Sequence, residues 1–443
     1  MRSSFLARAL PVVACLIALA AVVPPTYGAA QRADADKLKT TLTPLGGERA
    51  GTADHQIPEW TGAVTPGFTY RSSPFDSEKP IATVNAANAQ QYSDQLTDGL
   101  KALMQKHSDY KIVVYPSHRT AFAPQWLYDN TYQNAVNGKL DGFVPKNVFG
   151  GVAFPIPENG TEVMWNHLLR WRGPSFSWHI LVYETTADGR HVEISDTRAD
   201  QNLPFYFKGE GAKWNGDYED IHVTNSGPPI RAGQQAVGRE NVDPNKNFTW
   251  LYLIGQRRTR ELPNACCDTP NPLAAGFMNF DELEGFYGEL DRYDWKIVGK
   301  QVKFIPYNSN ATNAVSNDLL MPHFLNPSRV RFEPHRVWVV EGTLRPGKRH
   351  QVPRLRAYVD EDSWEVVLTD RFDARNKLWK TGFTIPYFDP EQGVNMITFG
   401  QYDLEAGTWF VNGLTNQNGY GQTAATRFAE GEFTPEVMLR GAR

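Results

Sequence analysis

Apolar and polar residues alternate in short runs along the second half of the chain, from about residue 175 onwards. Period-two alternation is typical of half-buried β-strands, and many of the runs are separated by turn sequences such as Ala187-Asp188-Gly189-Arg190. Consecutive strands joined by tight turns form an antiparallel meander. The predicted strands are 176–185, 191–197, 203–208, 248–255, 293–306, 336–343, 354–359, 364–372, 378–386, 396–404 and 408–414.

The two faces of these strands differ from one run to the next. In 354–359, two arginines and Tyr358 share one face, which predicts a side of the sheet that is exposed to water. In 248–253, Trp250 and Tyr252 lie opposite two leucines, so both sides are largely apolar. A sheet with two apolar faces can pack one face against helices and wrap the other around a cavity.

Helical spacing of apolar residues occurs mainly in the first half of the chain. Leu96, Leu100 and Leu103 belong to a stripe that predicts a core-facing helix over 84–107. Two further helices are predicted over 124–136, with proline in its first turn, and over 160–169.

Residues 31–75 are rich in proline and glycine, which excludes long regular elements there. Leu42, Ile57 and Trp60 would be exposed in a free tail, so we expect an ordered arm that lies over the body of the protein. The remainder, 76–443, is expected to form a single β-rich domain that contains the three helices.

Residues 1–30 have the pattern of a secretory signal peptide. Arg2 and Arg8 precede the apolar centre of the segment, and small residues follow it at 28–30. Cleavage after Gly28 or after Ala30 would fit equally well. A lipoprotein signal ending at Cys15 is an alternative, although the apolar run continues beyond that cysteine. We therefore expect an exported protein of the Gram-negative periplasm, either free or peripheral to the outer membrane.

Composition narrows the classes of partner. Loss of the leader, with its two arginines, would change the formal net charge from −4 to −6, so a nucleic-acid-binding protein is not indicated. After the leader, no apolar run approaches the roughly 20 residues that a membrane-spanning helix needs.

Catalytic and metal-binding signatures are absent from the sequence. There is no nucleophile elbow, zinc-protease motif, phosphate loop or dinucleotide fingerprint. The acidic run 360–362 is interpreted as a hairpin turn, with a cation site as the alternative. Cys266 and Cys267 are interpreted as two half-buried thiols rather than a disulfide, with a redox switch or soft-metal site as the alternative. We expect no enzyme activity, no cofactor and no metal.

The aromatic residues of the predicted strands are the candidates for a ligand site. Each tryptophan offers a large apolar surface and one N–H donor, which would suit a lipid, a sterol or another hydrophobic molecule. The candidate pocket residues are Trp250, Tyr252, Trp295 and Trp338, and Arg257 and Arg258 are candidate rim residues for an anionic group.

Several segments together carry a resemblance to a known family. They are 42–51 with Ile57-Pro58-Glu59-Trp60, Phe154-Pro155-Ile156-Pro157, Trp165-Asn166-His167, Trp250-Leu251-Tyr252-Leu253 with Gly255-Gln256-Arg257-Arg258, Tyr293-Asp294-Trp295-Lys296, His335-Arg336-Val337-Trp338 and Tyr358-Val359-Asp360-Glu361-Asp362-Ser363-Trp364. In this order and over nearly the whole mature chain, the sequence resembles the proteobacterial domain-of-unknown-function family 1329, which is similar to outer-membrane lipoprotein-sorting proteins.

The resemblance implies an α+β fold that is mainly antiparallel β, an incomplete barrel of the Lol carrier type wrapped around helices. It also implies partners, since such proteins are commonly encoded near exporters of the resistance-nodulation-division (RND) superfamily and near outer-membrane β-barrel proteins. It brings no catalytic residues, and this sequence departs from the family pattern at Ala265-Cys266-Cys267. The predicted function is a periplasmic carrier for a lipid or other hydrophobic molecule; the alternatives are a hydrolase with a non-linear active site and a structural protein of the cell envelope.

Overall fold

Strands predominate from residue 175 onwards in the computed structural model, which describes residues 32–62, 65–262, 266–390 and 393–440. The helices are α1 (Arg32–Ala35), α2 (Asp98–Lys106), α3 (Gln125–Asn137), α4 (Gly160–Leu168) and α5 (Pro435–Arg440). The strands are β1 (Ala82–Asn85), β2 (Lys111–Val114), β3 (Lys139–Asp141), β4 (Val144–Lys146), β5 (Ser175–Thr185), β6 (His191–Asn202), β7 (Asp217–Gly227), β8 (Gln235–Asn241), β9 (Phe248–Leu253), β10 (Arg258–Glu261), β11 (Tyr293–Pro306), β12 (Arg331–Leu344), β13 (Arg354–Asp360), β14 (Val366–Phe372), β15 (Leu378–Asp389), β16 (Val394–Asp403), β17 (Trp409–Leu414) and β18 (Gly421–Ala424). The predicted leader, 1–30, lies outside the described residues.

One large sheet organises the described part of the chain. Its strand order is β1-β2-β12-β13-β14-β15-β16-β17-β5-β6-β7-β8-β9-β10, with β11 also paired to β12 and β18 to β5. The pairings are antiparallel apart from β2 with β12, and β1 and β10 remain as separate edges. The prediction of a mainly antiparallel, incomplete barrel is confirmed.

Helices cover both faces of this sheet. Every residue of α4 is buried, and the helix packs against β11 and β12 within the largest apolar cluster. On the other face, α2 packs against β14 and β15. The side of β13 that was expected to be wet is therefore partly covered: Tyr358 is buried, and its hydroxyl donates to Asp370 Oδ2 at 3.0 Å.

The predicted helix 84–107 is wrong in its first half. β1 pairs with β2, and a side-chain turn follows it, in which Asn88 Oδ1 accepts from the Asn85 N–H at 2.9 Å. The helix itself starts only at Asp98, where the Thr97 hydroxyl accepts from the Leu100 N–H. Asparagine side chains that bond to the nearby backbone compete with helix formation, and here that competition decides the local structure. The predicted helices 124–136 and 160–169 match α3 and α4 to within a residue or two.

The predicted strand 203–208 is also wrong, and several strands were missed, of which β7 and β8 are the longest. Residues Pro204–Tyr206 form a 3-10 turn, because proline has no N–H to contribute to a sheet. β7 and β8 escaped prediction because they carry many charged residues, which are nevertheless buried as pairs. Asp220, for example, accepts from Arg239 Nε at 2.7 Å.

The N-terminal segment contacts the body through buried polar groups as well as apolar ones. Ile57 and Trp60 are buried, and Arg336 of β12 donates to the Glu48 and Ala50 carbonyls at 3.1 and 2.6 Å. Arg119, before α3, binds both carboxylate oxygens of Asp362 at 2.6 and 2.7 Å. These contacts hold residues 48–50 and Arg119 close to the β13–β14 turn.

Replacement of Arg119 by leucine should destabilise the protein by about 3–5 kcal/mol, because Asp362 would remain buried without a counter-charge. The matched control is Arg329→Leu, which removes an ion pair to Asp318 whose side chains are 31% and 55% exposed. That change should cost about 0–1 kcal/mol. Urea denaturation of both variants measures the free energy of unfolding. Equal losses of stability in the two variants would contradict the importance of the Arg119–Asp362 ion pair.

Candidate functional site

A cavity of about 200 Å³ lies on the inner face of β5 to β9. Its wall is largely apolar, and much of it comes from alternate residues of β5, beginning at Phe176 and ending at Val182. Residues of β15, β16 and β17 close the adjoining side. Because consecutive even-numbered residues of one strand point to the same side, β5 by itself presents a continuous apolar strip to the cavity.

The register of the strands explains why a hollow exists here. One cross-strand row runs Phe176, Gln201, Ile221, Gly238, Thr249, and the next runs Trp178, Ala199, Val223, Ala236, Leu251. Each row has a large apolar side chain on β5 and another on β7. The residue on β8 is small in both rows: glycine in the first and alanine in the second. A Cβ atom added at Gly238 would be in ordinary van der Waals contact with Ile221 and Thr249, so that position has room for a side chain.

Residues 266–290, here called the roof segment, cover the cavity. Ala274 and Met278 of this segment join the apolar cluster formed with Ile180 and Val182 of β5. Glu282 fixes the segment to the sheet, because its carboxylate accepts from Lys380 Nζ at 2.8 Å.

The roof segment begins with a disulfide between Cys266 and Cys267. The interpretation of two half-buried thiols is therefore wrong. Cys267 has φ 65°, so the chain turns at this point and the adjacent sulfur atoms meet.

Ionisable side chains meet at one end of the apolar cavity. Arg172 donates to Glu219 Oε2 at 2.8 Å and to Glu284 at 3.0 Å, and the Tyr287 hydroxyl donates to the other oxygen of Glu219 at 3.1 Å. Glu284 also accepts from Arg170. The two arginines hold the pKa of Glu284 at about 2, in spite of its burial. Glu219 and Glu284 thus form ion pairs with two arginines beside the cavity.

Glu240 is the uncompensated member of this group. It pairs with Glu219 across β7 and β8, and both carboxyl groups are buried. Burial raises the pKa of Glu240 well above the usual glutamate value, and the nearby charges of Glu219 and Glu289 raise it further. Asn247 Nδ2 donates to it at 2.6 Å, which opposes the shift only in part. Burial and the neighbouring carboxylates therefore favour the protonated form of this carboxyl group at the cavity wall.

Trp250 and Tyr252 lie on the opposite face of β9 from the cavity. Together with Val237 they pack around Met438 of α5, so the C-terminal helix covers them. On the cavity side of the same strand are Thr249 and Leu251. The strand is apolar on both faces because it is covered on both faces.

The other four candidates lie away from the cavity lining. Trp295 is buried in the α4 cluster and donates to the Leu290 carbonyl at 2.9 Å, and Trp338 packs against the same cluster, with Lys300 Nζ 4.5 Å from its ring centre. Arg257 and Arg258 are exposed at the β9–β10 turn.

Sequence reasoning missed the residues that do line the cavity. A signal was present in the run 176–182, where Phe176, Trp178, Ile180 and Val182 alternate with other residues. No sequence signal marks Glu219 and Glu240, since only strand pairing makes them neighbours.

One other cluster has residue types that bind metals. His335, Asp360 and Asp362 offer ligand atoms within 4.8 Å of one another, and all three are buried. Arg119 already occupies both oxygens of Asp362, which brings a cation to the place where a metal ion would have to bind. Burial and the charge of Asp362 raise the pKa of Asp360 to about 6. The cluster is therefore better described as an ion-pair network, and the acidic run 360–362 lies at the β13–β14 turn as expected.

Comparison with known proteins identifies the family. The model of the family described as "Protein of unknown function (DUF1329)" matches residues 83–438, and this chain belongs to that family. The resemblance noted in the sequence is thus confirmed.

Individual relatives are known at two levels of similarity. An uncharacterized protein of Pseudomonas aeruginosa is 33% identical over 96% of both chains. A crystal structure of a DUF1329 family protein from Desulfovibrio piger is 13% identical, with TM-score 0.41, and covers 60% of this chain and 92% of that chain. A LolA superfamily protein from Nitrosomonas europaea is 12% identical, with TM-score 0.37, and covers 63% of this chain and all of that chain. Among the residues described, no helix is long and apolar enough to span a membrane.

Glu240→Gln should change the pH dependence of stability. The folded protein holds the Glu240 proton to a higher pH than the unfolded chain does, so its stability falls as pH rises above the ordinary glutamate range, about 4.3. Glutamine is always neutral, and the variant should therefore gain stability relative to the wild type as the pH rises above that range, with little difference at or below it. Denaturant unfolding at each pH, with the exposed Glu59→Gln as control, measures this. Parallel profiles for wild type and Glu240→Gln would contradict the assignment.

Proposed function

We propose that this protein is a periplasmic carrier that shields the apolar part of a lipid or other hydrophobic molecule inside the cavity between β5–β9 and the roof segment. The observation that carries the proposal is the largely apolar wall with polar groups at one end. Such a division between apolar lining and a few converging polar groups is typical of small-molecule sites. A protein with a purely structural role would need no such hollow.

The size of the cavity limits what it encloses. An engineered apolar cavity of about 150 Å³ remains dry and binds benzene, so a cavity of about 200 Å³ can hold a ring or a short stretch of acyl chain. It is too small for a whole phospholipid. Each enclosed methylene would contribute about 0.8 kcal/mol, so a few of them suffice for binding without any catalytic group.

The polar end favours an uncharged group on the ligand. Arg170 and Arg172 are already balanced by Glu219 and Glu284, so no surplus positive charge faces the cavity. In its protonated form, which burial favours, Glu240 can donate a hydrogen bond to a carbonyl or hydroxyl oxygen. An anionic group would instead meet Arg257 and Arg258, the rim residues proposed from the sequence.

The proposed cellular location and partner proteins are inferred from the sequence. The leader pattern supports export to the periplasm. The family resemblance supports a role as an accessory protein that works with an RND-type exporter and an outer-membrane β-barrel protein. In this scheme the protein carries its ligand between the inner-membrane transporter and the outer membrane.

A hydrolase is the second candidate, and the pair Glu219 and Glu240 favours it. Arg172 donates to Glu219, while burial raises the pKa of Glu240 well above the usual glutamate value. Such unequal environments can divide paired acidic groups between acid and base roles. We place this candidate second because both oxygens of Glu219 are already engaged by Arg172 and Tyr287. In a hydrolase, Glu240→Gln would leave ligand binding intact and abolish turnover of an ester or glycoside analogue of the bound molecule.

Native mass spectrometry of the protein from its own host, followed by solvent extraction, is the first test of the carrier. We expect a stoichiometric apolar molecule and uptake of a fluorescent lipid probe by the emptied protein.

Gly238→Leu would fill part of the cavity and displace about two methylene equivalents of the probe, at about 0.8 kcal/mol each. This loss should weaken probe binding roughly tenfold.

The control for that variant is Gly431→Leu, the same change at an exposed position with no atom within 4 Å of the added Cβ. It should bind the probe as the wild type does. Equal affinity for the two variants, or a mass without ligand together with no probe uptake, would reject the carrier.

A further inference from the structure

The turns between β7 and β8 and between β9 and β10 form a surface that lies outside the cavity lining. Both turns lie at the same end of the sheet, because Gln235 at the start of β8 pairs with Tyr252 near the end of β9. They also touch, since a Cβ atom on Gly233 would lie 3.3 Å from Ile254 Cδ1. We call this surface, formed by residues 228–234 and 254–258, the tip surface.

Two isoleucines are exposed on the tip surface. Ile230 is 85% exposed, the highest value among the exposed large apolar residues of the described chain, and Ile254 is 37% exposed. Backbone hydrogen bonds hold the β7–β8 turn closed, including Arg231 N–H to the Pro228 carbonyl at 2.8 Å and Gly233 N–H to the Asn225 carbonyl at 2.7 Å. Ile230 is therefore held outwards by an ordered turn, although its burial would be worth about 1.5–3 kcal/mol.

Three arginines follow Ile254 in the chain. Arg257 and Arg258 lie in the turn and at the start of β10, and Arg260 follows on the same edge strand. Within the described residues, none of these three arginines forms an ion pair with a carboxylate. This concentration of positive charge contrasts with the formal net charge of −4 for the whole chain.

The tip surface adjoins the cavity. Arg258 and Arg260 pair with Leu253 and Leu251, so they project from the same face of the sheet that lines the cavity. On the other side, Arg231 Nη1 donates to the Pro272 carbonyl of the roof segment at 2.9 Å. Whatever the tip surface binds would thus be held next to the roof.

We propose that the tip surface docks the protein on an anionic lipid bilayer. Ile230 and Ile254 enter the interfacial region of the bilayer, and the nearby arginines bind lipid phosphates. Peripheral proteins use this combination of apolar insertion and electrostatic attraction to anionic lipids. A protruding turn with two separate isoleucines suits a fluid bilayer better than a protein partner, because a stable protein interface needs about 800 Å² from each side.

Flotation with lipid vesicles tests the docking surface. The full-length mature protein is mixed with vesicles of phosphatidylcholine alone or of phosphatidylcholine with phosphatidylglycerol, at low and high salt. We expect binding to the anionic vesicles, weakened by salt. Each arginine near an anionic surface contributes a factor of about fivefold, so Arg257→Gln/Arg258→Gln should bind on the order of 25-fold more weakly. Ile230→Ser should also weaken binding.

Two matched controls separate docking from general surface effects. Val315→Ser changes an apolar residue that is 53% exposed elsewhere, and Arg375→Gln removes an exposed arginine elsewhere. Both should bind vesicles as the wild type does. Uptake of the lipid probe, measured on the same samples, should be unchanged in Ile230→Ser, whereas Gly238→Leu should keep vesicle binding, so the two proposals can fail separately.

Equal binding to neutral and anionic vesicles would overturn the proposal, and so would wild-type affinity in Ile230→Ser and the double arginine variant. Failure to bind anionic vesicles, combined with arginine-dependent retention on immobilised polyglutamate, would also overturn it and would assign the surface to an acidic protein partner.

Discussion

The burial of three consecutive carboxylates at the β13–β14 turn is the constraint on which the fold depends. Asp360, Glu361 and Asp362 are each at most 2% exposed. Removing such groups from water costs several kcal/mol each unless partners compensate them. Arg119, Arg336 and Lys300 supply positive charge to Glu361 and Asp362 from the segment before α3 and from β12 and β11. Asp360 instead accepts from the Ser363 hydroxyl at 2.6 Å. The same arginines bind backbone carbonyls of the N-terminal segment, so neutralising one turn also positions the arm.

The cavity follows from a different rule, the matching of large and small residues across neighbouring strands. Gly238 and Ala236 face large side chains on β7, and the space that they leave is covered by the roof segment rather than filled. At the edge of that space, Glu219 is paired with Arg172, and burial raises the pKa of Glu240 well above the usual glutamate value. A largely apolar hollow with ion-paired groups at one end thus lies beside a cationic surface in one half of the sheet.

Much of the architecture could be predicted from local patterns. The alternation in 293–306 gave the bounds of β11, and the apolar stripe in 160–169 gave the buried helix α4, because each pattern is decided by residues close in sequence. The prediction failed where local bonding competed with periodicity, as at Asn85 and Asn88. It also failed where buried charges were paired, since β7 resembles a polar loop until Arg239 and Arg172 are placed beside it.

The sequence by itself determined which residues of a strand share a face, the positions of most turns, the family, and the types of side chain available for a ligand site. Only the tertiary structure decided which face is the inside. In β9, Trp250 and Tyr252 belong to the face covered by α5, while Thr249 and Leu251 face the cavity, and no local signal distinguishes these two apolar faces. The pairing of Arg119 with Asp362, 243 residues apart, was likewise decided only when the sheet brought both groups out of water. Strand periodicity is a local property, whereas burial and charge pairing depend on which distant segments come to lie together.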